Sequence, residues 1–183
     1  MSKYFIGIMT GTSADALDGC VVSFEDKFEL ICSASLTLDS SYKRYYEECI
    51  REGSKNTNES KKLFELENIL NQKTIELISL LLKEANIDIS QVSSVGFSGQ
   101  TIFHTNEKSY QIGNPAYISE LSKIDVYSDF RNFDIKNGGI GAPLIPAFHK
   151  YLYAIEKDRI IFNIGGIANG TYLKKGEVAI ASD

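Results

Sequence analysis

The sequence predicts an α/β fold with a mixed sheet that starts with an antiparallel three-strand meander and is flanked by helices. Three observations carry this prediction. Three apolar, strand-like segments follow one another in the first forty residues, with too few residues between them for crossover helices. A long segment with leucines at helical spacing comes next. After Asn86, short strands alternate with short helices.

The predicted elements follow in this order. The meander strands are expected at Tyr4–Met9, Gly19–Phe24 and Phe28–Leu38. The helices are expected at Tyr42–Arg51, Ser60–Ala85, Pro115–Leu121 and Pro146–Glu156, two of them starting with proline. The later strands are expected at Val92–Phe97, Tyr110–Ile112, Ile124–Tyr127, Arg159–Ile164, Thr171–Leu173 and Val178–Ala181. This order is typical of a ribonuclease-H-like lobe. We therefore assign residues 1–158 to a first lobe, and residues 159–183 to the opening strands of a truncated second lobe.

Composition excludes several classes of protein. Hydrophobic residues make up 43% of the 183, which indicates a globular chain with a sizeable core. The net charge of -5 argues against sequence-independent nucleic-acid binding, which needs clustered Lys and Arg. The three cysteines show neither a zinc spacing nor a disulfide framework. We find no signal peptide and no run long enough to cross a bilayer, so we expect a cytoplasmic protein without membrane partners.

The turn after the first strand is the segment with the most groups that could bind a ligand. Residues 10–18 read Thr-Gly-Thr-Ser-Ala-Asp-Ala-Leu-Asp. Backbone N–H groups near a glycine can face an anion, and hydroxyls can donate to phosphate oxygens. Asp15 and Asp18 can hold Mg²⁺ through water. The alternative is an ordinary tight hairpin in which Asp and Ser are turn formers.

Three further segments carry polar groups at strand ends. Gln100 and His104 could orient a sugar by hydrogen bonds, although a lone histidine is also common as a structural residue. Arg131 could bind a carboxylate or phosphate through its planar fork, or pair with Asp129 at the surface. A later strand is followed by the glycine turn 163–169. This is the same order of strand and glycine turn as at the first loop. The glycines fit neither a dinucleotide fingerprint nor a P-loop.

Together, these segments resemble the anhydro-N-acetylmuramic acid kinase family. The matching motifs occur in the family's order, and the resemblance runs from residue 4 to the last residue. They are Met-Thr-Gly-Thr-Ser-x-Asp-x-x-Asp at 9–18, Gly-Gln-Thr-x-x-His at 99–104, Asp-Phe-Arg at 129–131, Gly-Gly-x-Gly-Ala-Pro-Leu-x-Pro at 138–146, and Asn-Ile-Gly-Gly-Ile-Ala-Asn at 163–169. The family has the actin-like, hexokinase-like ATPase fold, with two ribonuclease-H-like lobes and ATP between them.

The resemblance implies a reaction and a set of roles. The family opens the anhydro bridge of 1,6-anhydro-N-acetylmuramate with water and phosphorylates O6 from ATP with Mg²⁺, a step in peptidoglycan recycling. The sugar would lie near Gln100, His104 and Arg131, with Arg131 a partner for its lactyl carboxylate. The ATP phosphate loops would comprise Gly11, Thr12, Ser13, Ala14, Asp15, Ala16, Leu17 and Asp18, with Gly165 and Gly166 in the second loop. The resemblance also suggests a homodimer.

Asp183 falls where the family has the aspartate that takes a proton from the attacking water. The alternative is a C-terminal aspartate that lies in solvent. Three positions depart from the usual family residues: Thr10 replaces serine, Ala16 replaces glycine and Ser98 replaces histidine. Alanine at position 16 is compatible with the fold only if its φ is negative.

Family members are about twice as long as this chain, so we expect a fragment with little or no turnover by itself. Two other function classes remain open. One is a non-catalytic nucleotide-binding or assembly module of the same fold, which would associate in response to ATP without sugar. The other is a ribonuclease-H-like nuclease with Asp15, Asp18 and Asp129 as metal carboxylates, which the acidic composition disfavours.

Overall fold

The computed structural model describes residues 3–52, 61–153, 157–164, 168–175 and 180–182. These residues form two compact units, each described by itself below. The first comprises residues 1–104 and 109–130, and the second comprises residues 105–108 and 131–183. The lobe boundary expected between residues 158 and 159 stays a prediction.

The first unit is built on a mixed sheet. Its described elements are β1 (Tyr4–Thr10), β2 (Ala16–Ser23), β3 (Glu29–Thr37), α1 (Ser40–Glu52), α2 (Lys61–Ala85), β4 (Val92–Phe97), β5 (Gln100–His104), β6 (Ser109–Ile112), α3 (Pro115–Ser122) and β7 (Val126–Tyr127). The sheet order is β3-β2-β1-β4-β7. The first three strands pair antiparallel, whereas β4 and β7 run parallel to β1. This is the predicted ribonuclease-H-like sheet, and the α/β fold class is confirmed.

The core lies between this sheet and α2. The leucines of the predicted helical stripe are all buried: Leu63, Leu66, Leu70, Leu77 and Leu81. Two buried polar residues of α2 have partners, as polar groups in a core require. Asn71 accepts the backbone N–H of Asn114 at 2.8 Å, and the Thr74 hydroxyl donates to the Leu70 carbonyl at 2.8 Å.

In the first unit, the structure adds strand β5 to the predicted elements and extends β2. The hairpin of β5 and β6 lies outside the main sheet, and β5 escapes prediction because Gln, Thr and His do not form an apolar run. Strand β2 begins at Ala16 instead of Gly19, since its pairing extends to Leu17 with β1 and to Ala16 with β3. The loop between β1 and β2 is therefore only residues 11–15.

The second unit contains α4 (Phe130–Lys136), α5 (Pro146–Tyr153), β8 (Arg159–Ile164), β9 (Ala168–Leu173) and β10 (Ile180–Ser182). Helix α4, whose first residue belongs to the first unit, was not predicted. The last three strands form an antiparallel sheet in the order β10-β9-β8. The second unit thus repeats the three-strand meander that begins the first. In the described part of the chain, no helix has the length and hydropathy needed to cross a membrane.

Gly19 offers a test of the packing between α2 and the sheet. A Cβ built at Gly19 would lie 2.8 Å from Leu81 Cδ1 and 2.9 Å from Leu77 Cδ2, both of which are buried. We expect Gly19→Ala to lower the free energy of unfolding in urea by about 1–3 kcal/mol through overpacking. Gly7→Ala on β1 is the control, because its Cβ would meet only Cys20 Sγ at 3.6 Å. Equal losses in the two variants would contradict this packing.

Candidate functional site

The loop between β1 and β2 presents polar side chains to solvent and apolar ones to the core. The side chains of Thr12, Ser13 and Asp15 are exposed. Ala14 and Leu17 are fully buried and anchor the loop to the core. The short sequence from Gly11 to Asp18 therefore forms a fixed backbone with hydroxyls and a carboxylate on its outer side.

The backbone of this loop leaves donors available for a ligand. The Ala14 N–H donates to the Gly11 carbonyl at 3.2 Å, and the Leu38 N–H donates to the Asp15 carbonyl at 2.9 Å. Among the described residues, the N–H groups of Thr12 and Ser13 have no hydrogen-bond acceptor. Two successive free amides in a tight turn are suited to bind an anion such as a phosphate.

The left-handed residue of the turn is Ala14, with φ of 49°, and not Gly11. A Cβ at Gly11 would make only an ordinary contact with Ser13 Oγ at 3.5 Å. Glycine is therefore not needed here for backbone conformation, and its effect is to leave the outer side of the loop open. Ala16 begins strand β2 with extended backbone, so alanine fits this position without strain.

Of the two carboxylates in this segment, Asp15 is better suited than Asp18 to bind a cation. The Ser13 hydroxyl donates to Asp15 Oδ1 at 2.5 Å, and this bond is the main reason that the pKa of Asp15 is lowered. Carboxylate and hydroxyl oxygens fit Mg²⁺, which keeps several waters in protein sites. In the described residues, no three Asp, Glu, His or Cys side chains are grouped to hold a metal, so Asp15, Asp18 and Asp129 do not form such a group.

We expect Ser13→Ala to raise the pKa of Asp15 towards its ordinary value of 3.8, because the variant lacks the principal stabilising bond to the carboxylate. A lowered folded-state pKa contributes stability above the unfolded-state pKa, and this stability is lost as the pH falls through the folded-state pKa. The variant should therefore lose less stability on acidification. NMR titration of the carboxyl carbon measures the change.

Ser41→Ala is the matched control for this titration. Ser41 lowers the pKa of Asp39 by an equivalent hydrogen bond at the start of α1. An unchanged pKa of Asp15 in Ser13→Ala would contradict the assignment.

Gln100 lies directly against the loop. Its side chain is fully buried, its Oε1 accepts the Thr10 hydroxyl at 3.1 Å, and its Nε2 donates to the Gly11 carbonyl at 3.0 Å. The structure thus brings together two segments that the sequence places 89 residues apart. The sugar-binding role expected for Gln100 stays a prediction.

The other predicted sugar residues lie in different units. His104 is half-buried at the end of β5, where it pairs in register with Ser109 in the first unit. Arg131 is half-buried in the first turn of α4, in the second unit. The preceding Asp129 has a left-handed φ of 58°.

Sequence reasoning missed Asp134 as the residue that holds the glycine-rich segment after α4. Its carboxylate accepts the Gly141 N–H at 2.8 Å, and its carbonyl accepts the Gly139 N–H at 2.9 Å. A Cβ at Gly139 would overlap the Asp134 carboxylate. An aspartate four residues before a glycine pair was the available signal.

Three predicted site residues, Gly165, Gly166 and Asp183, lie outside the described residues. Their flanking strands are described. Strands β8 and β9 pair up to Ile164 and Ala168, so residues 165–167 connect the first and second strands of this meander, as the loop at 11–15 does in the first unit. Strand β10 ends at Ser182, the residue before Asp183.

Comparison with known proteins agrees with these features. Residues 3–183 match the family model for anhydro-N-acetylmuramic acid kinase. The kinase of that name from Shewanella pealeana is 39% identical over 178 residues, which cover 94% of this chain and 47% of the relative. The one from Bordetella pertussis is 36% identical over 177 residues, with 95% and 46% covered. The chain spans about half the length of these curated relatives.

A solved structure shares the fold at low sequence identity. It is a reductive activator for a corrinoid, iron-sulfur protein, with a TM-score of 0.55 and 13% identity, and the match covers 98% of this chain and 30% of that one. The likeness concerns the fold alone, whereas the family match spans the motifs on which the site is built. The chain belongs to the anhydro-N-acetylmuramic acid kinase family.

Proposed function

We propose that this chain is part of an ATP-dependent kinase that opens 1,6-anhydro-N-acetylmuramate and phosphorylates its O6. The observation that carries the proposal is the loop at 11–15, where Thr12, Ser13 and Asp15 are exposed and the N–H groups of Thr12 and Ser13 have no acceptor among the described residues. The loop joins the first two strands of a ribonuclease-H-like sheet, in a chain that belongs to a family of sugar kinases.

In this proposal, the loop holds the phosphates of ATP by its amides and hydroxyls. Asp15 and Asp18 hold Mg²⁺ through water, and the Ser13 hydrogen bond that lowers the pKa of Asp15 favours the ionised form of that carboxylate. Gly165 and Gly166 contribute the second phosphate contact.

The proposed chemistry couples hydrolysis to phosphoryl transfer. Asp183 takes a proton from water, the water oxygen bonds to the acetal carbon, and the bridging C–O bond breaks. The freed O6 takes the terminal phosphoryl group of ATP, leaving ADP and N-acetylmuramate 6-phosphate, an intermediate of peptidoglycan recycling. His104 and Arg131 orient the sugar, with the Arg131 guanidinium on its lactyl carboxylate. A homodimer stays a prediction from the family resemblance.

We further propose that turnover requires the second half that the relatives possess, because a two-lobe kinase acts by positioning and by excluding water on closure. The test uses this chain alone and the same chain followed by the second half of the Shewanella pealeana relative, which we call the completed protein. Each is incubated with Mg·ATP and 1,6-anhydro-N-acetylmuramate, with N-acetylmuramate as the control sugar, and products are identified by mass.

We expect the ring-opened 6-phosphate from the completed protein and little from the chain alone. The Shewanella pealeana kinase serves as the positive control for the assay. A completed protein that folds and binds Mg·ATP without sugar, yet forms no sugar phosphate, would favour a nucleotide-binding assembly module instead.

A further inference from the structure

We propose that Gln100 is a positioning residue that sets the geometry of the ATP phosphate loop, and not a direct ligand of the sugar. The proposal rests on the proposed function, since it takes the loop between β1 and β2 to hold the phosphates of ATP. It assigns Gln100 a role through Gly11, whereas the amide in the sequence motif had indicated sugar binding.

The first argument for this role is the set of hydrogen bonds that the Gln100 carboxamide makes. Its Oε1 accepts from Thr10 Oγ1 at 3.1 Å, and its Nε2 donates to the Gly11 carbonyl at 3.0 Å. The oxygen and the nitrogen of the amide are therefore both engaged within the protein, and the side chain is fully buried, so it presents no exposed polar atom to a sugar hydroxyl.

The backbone fixes the direction of this side chain. Gln100 is 0% exposed and pairs in register with Ile112 across the β5–β6 hairpin. The turn before it requires Gly99, whose φ is +67° and whose Cβ would lie 2.6 Å from the Ile112 carbonyl. The Gln100 side chain could reach solvent only if the β5–β6 hairpin moved away from the loop between β1 and β2.

The Gly11 carbonyl is the atom through which Gln100 acts. It accepts both Gln100 Nε2 and the Ala14 N–H, which closes the turn at 3.2 Å. Fixing this carbonyl fixes the peptide planes that follow, and these planes carry the open N–H groups of Thr12 and Ser13. Donors that the fold already holds in place bind an anion without the free-energy cost of ordering them on binding.

Two substitutions at Gln100 separate positioning from folding. Gln100→Leu removes both the donor and the acceptor. Gln100→Glu keeps the shape and can accept from Thr10, but it donates to the Gly11 carbonyl only when it is protonated. The matched control is Gln111→Leu on the same hairpin, whose amide donates to Ser109 and not to the loop. Thr10→Ser retains the hydroxyl that Thr10→Val loses.

The first measurement is amide hydrogen exchange of residues 11–15 in this chain without nucleotide, followed by Mg·ATP titration. We expect Gln100→Leu to speed exchange in the loop and to weaken Mg·ATP binding about tenfold, the ratio that corresponds to one lost hydrogen bond. Gln100→Glu should bind Mg·ATP more tightly as the pH is lowered, which neither wild type nor Gln111→Leu should do. Thr10→Ser should behave as wild type.

The second measurement is steady-state kinetics of the completed protein. We expect Gln100→Leu to raise KM for ATP and to leave KM for the sugar unchanged. A raised KM for the sugar with KM for ATP unchanged would overturn the proposal in favour of a sugar ligand. So would unchanged loop exchange, or faster exchange with unchanged Mg·ATP affinity. If the completed wild type forms no product, the proposed function fails, whereas loop exchange and Mg·ATP titration still decide the role of Gln100.

Discussion

Gly99→Ala is expected to lower the free energy of unfolding by at least about 3 kcal/mol, near the upper end for single substitutions. Two costs add at this position. Its φ of +67° is unfavourable for a residue with a Cβ, and that Cβ would lie 2.6 Å from the Ile112 carbonyl and 3.1 Å from Gln111 Cβ. Backbone of the facing strand cannot move aside as a flexible side chain would, so the β5–β6 hairpin must open.

Gly138→Ala isolates the first of these costs. Gly138 has φ of +91°, but a Cβ there would meet nothing within 4 Å. We expect a loss of about 1–2 kcal/mol from backbone strain alone. Urea unfolding of the two variants provides the comparison. Equal losses would show that the contact with Ile112 is not what makes Gly99 necessary.

Asp183→Asn is expected to reduce formation of the sugar phosphate by the completed protein about 10²- to 10⁴-fold, the range for loss of a general base. The amide keeps the size of the side chain but cannot take the proton from water. Mg·ATP binding should be unchanged, because the loop between β1 and β2 is untouched. Product formation followed by mass spectrometry measures the effect.

Asp158→Asn is the matched control for Asp183. The carboxylate of Asp158 accepts the Tyr172 hydroxyl and the Lys175 N–H, each at 3.0 Å, and so has a structural role in the second unit. It should retain phosphorylation activity. Full activity in Asp183→Asn would remove the proposed base from the reaction.

The sequence predicts those parts of the fold that rest on periodicity. The leucine stripe locates α2 and its buried face, and the close spacing of the first strands predicts their antiparallel pairing. Polar strands are harder to predict. Strand β5 is absent from the prediction because its pairing with β6, and not an apolar run, makes it a strand. The sequence does not predict the start of β2, because Asp18 resembles a turn residue. In the structure, Asp18 lies in a paired strand and its side chain faces solvent.

The candidate site likewise has features that the sequence predicts and features that it does not. The glycine and hydroxyls of the short turn predict phosphate binding, and its two carboxylates predict Mg²⁺ binding, since these residue types are visible in the sequence. The direction of a side chain is not visible there. An amide after Gly99 could face a ligand or the protein, and the tight turn at Gly99 directs Gln100 to the Gly11 carbonyl. Likewise, only the folded backbone shows that Ala14 takes the left-handed conformation.

The most direct test of the central claim is an NMR titration of the backbone amides of this chain with Mg·ATP. We predict that the resonances of Thr12 and Ser13 shift with Mg·ATP, shift less with Mg·ADP, and do not shift with adenosine, because we propose that their free N–H groups bind the phosphates. The Lys175 amide, whose N–H donates to the Asp158 carboxylate in the second unit, serves as an internal reference. Binding of Mg·ATP without a shift at Thr12 and Ser13 would contradict the assignment of this loop.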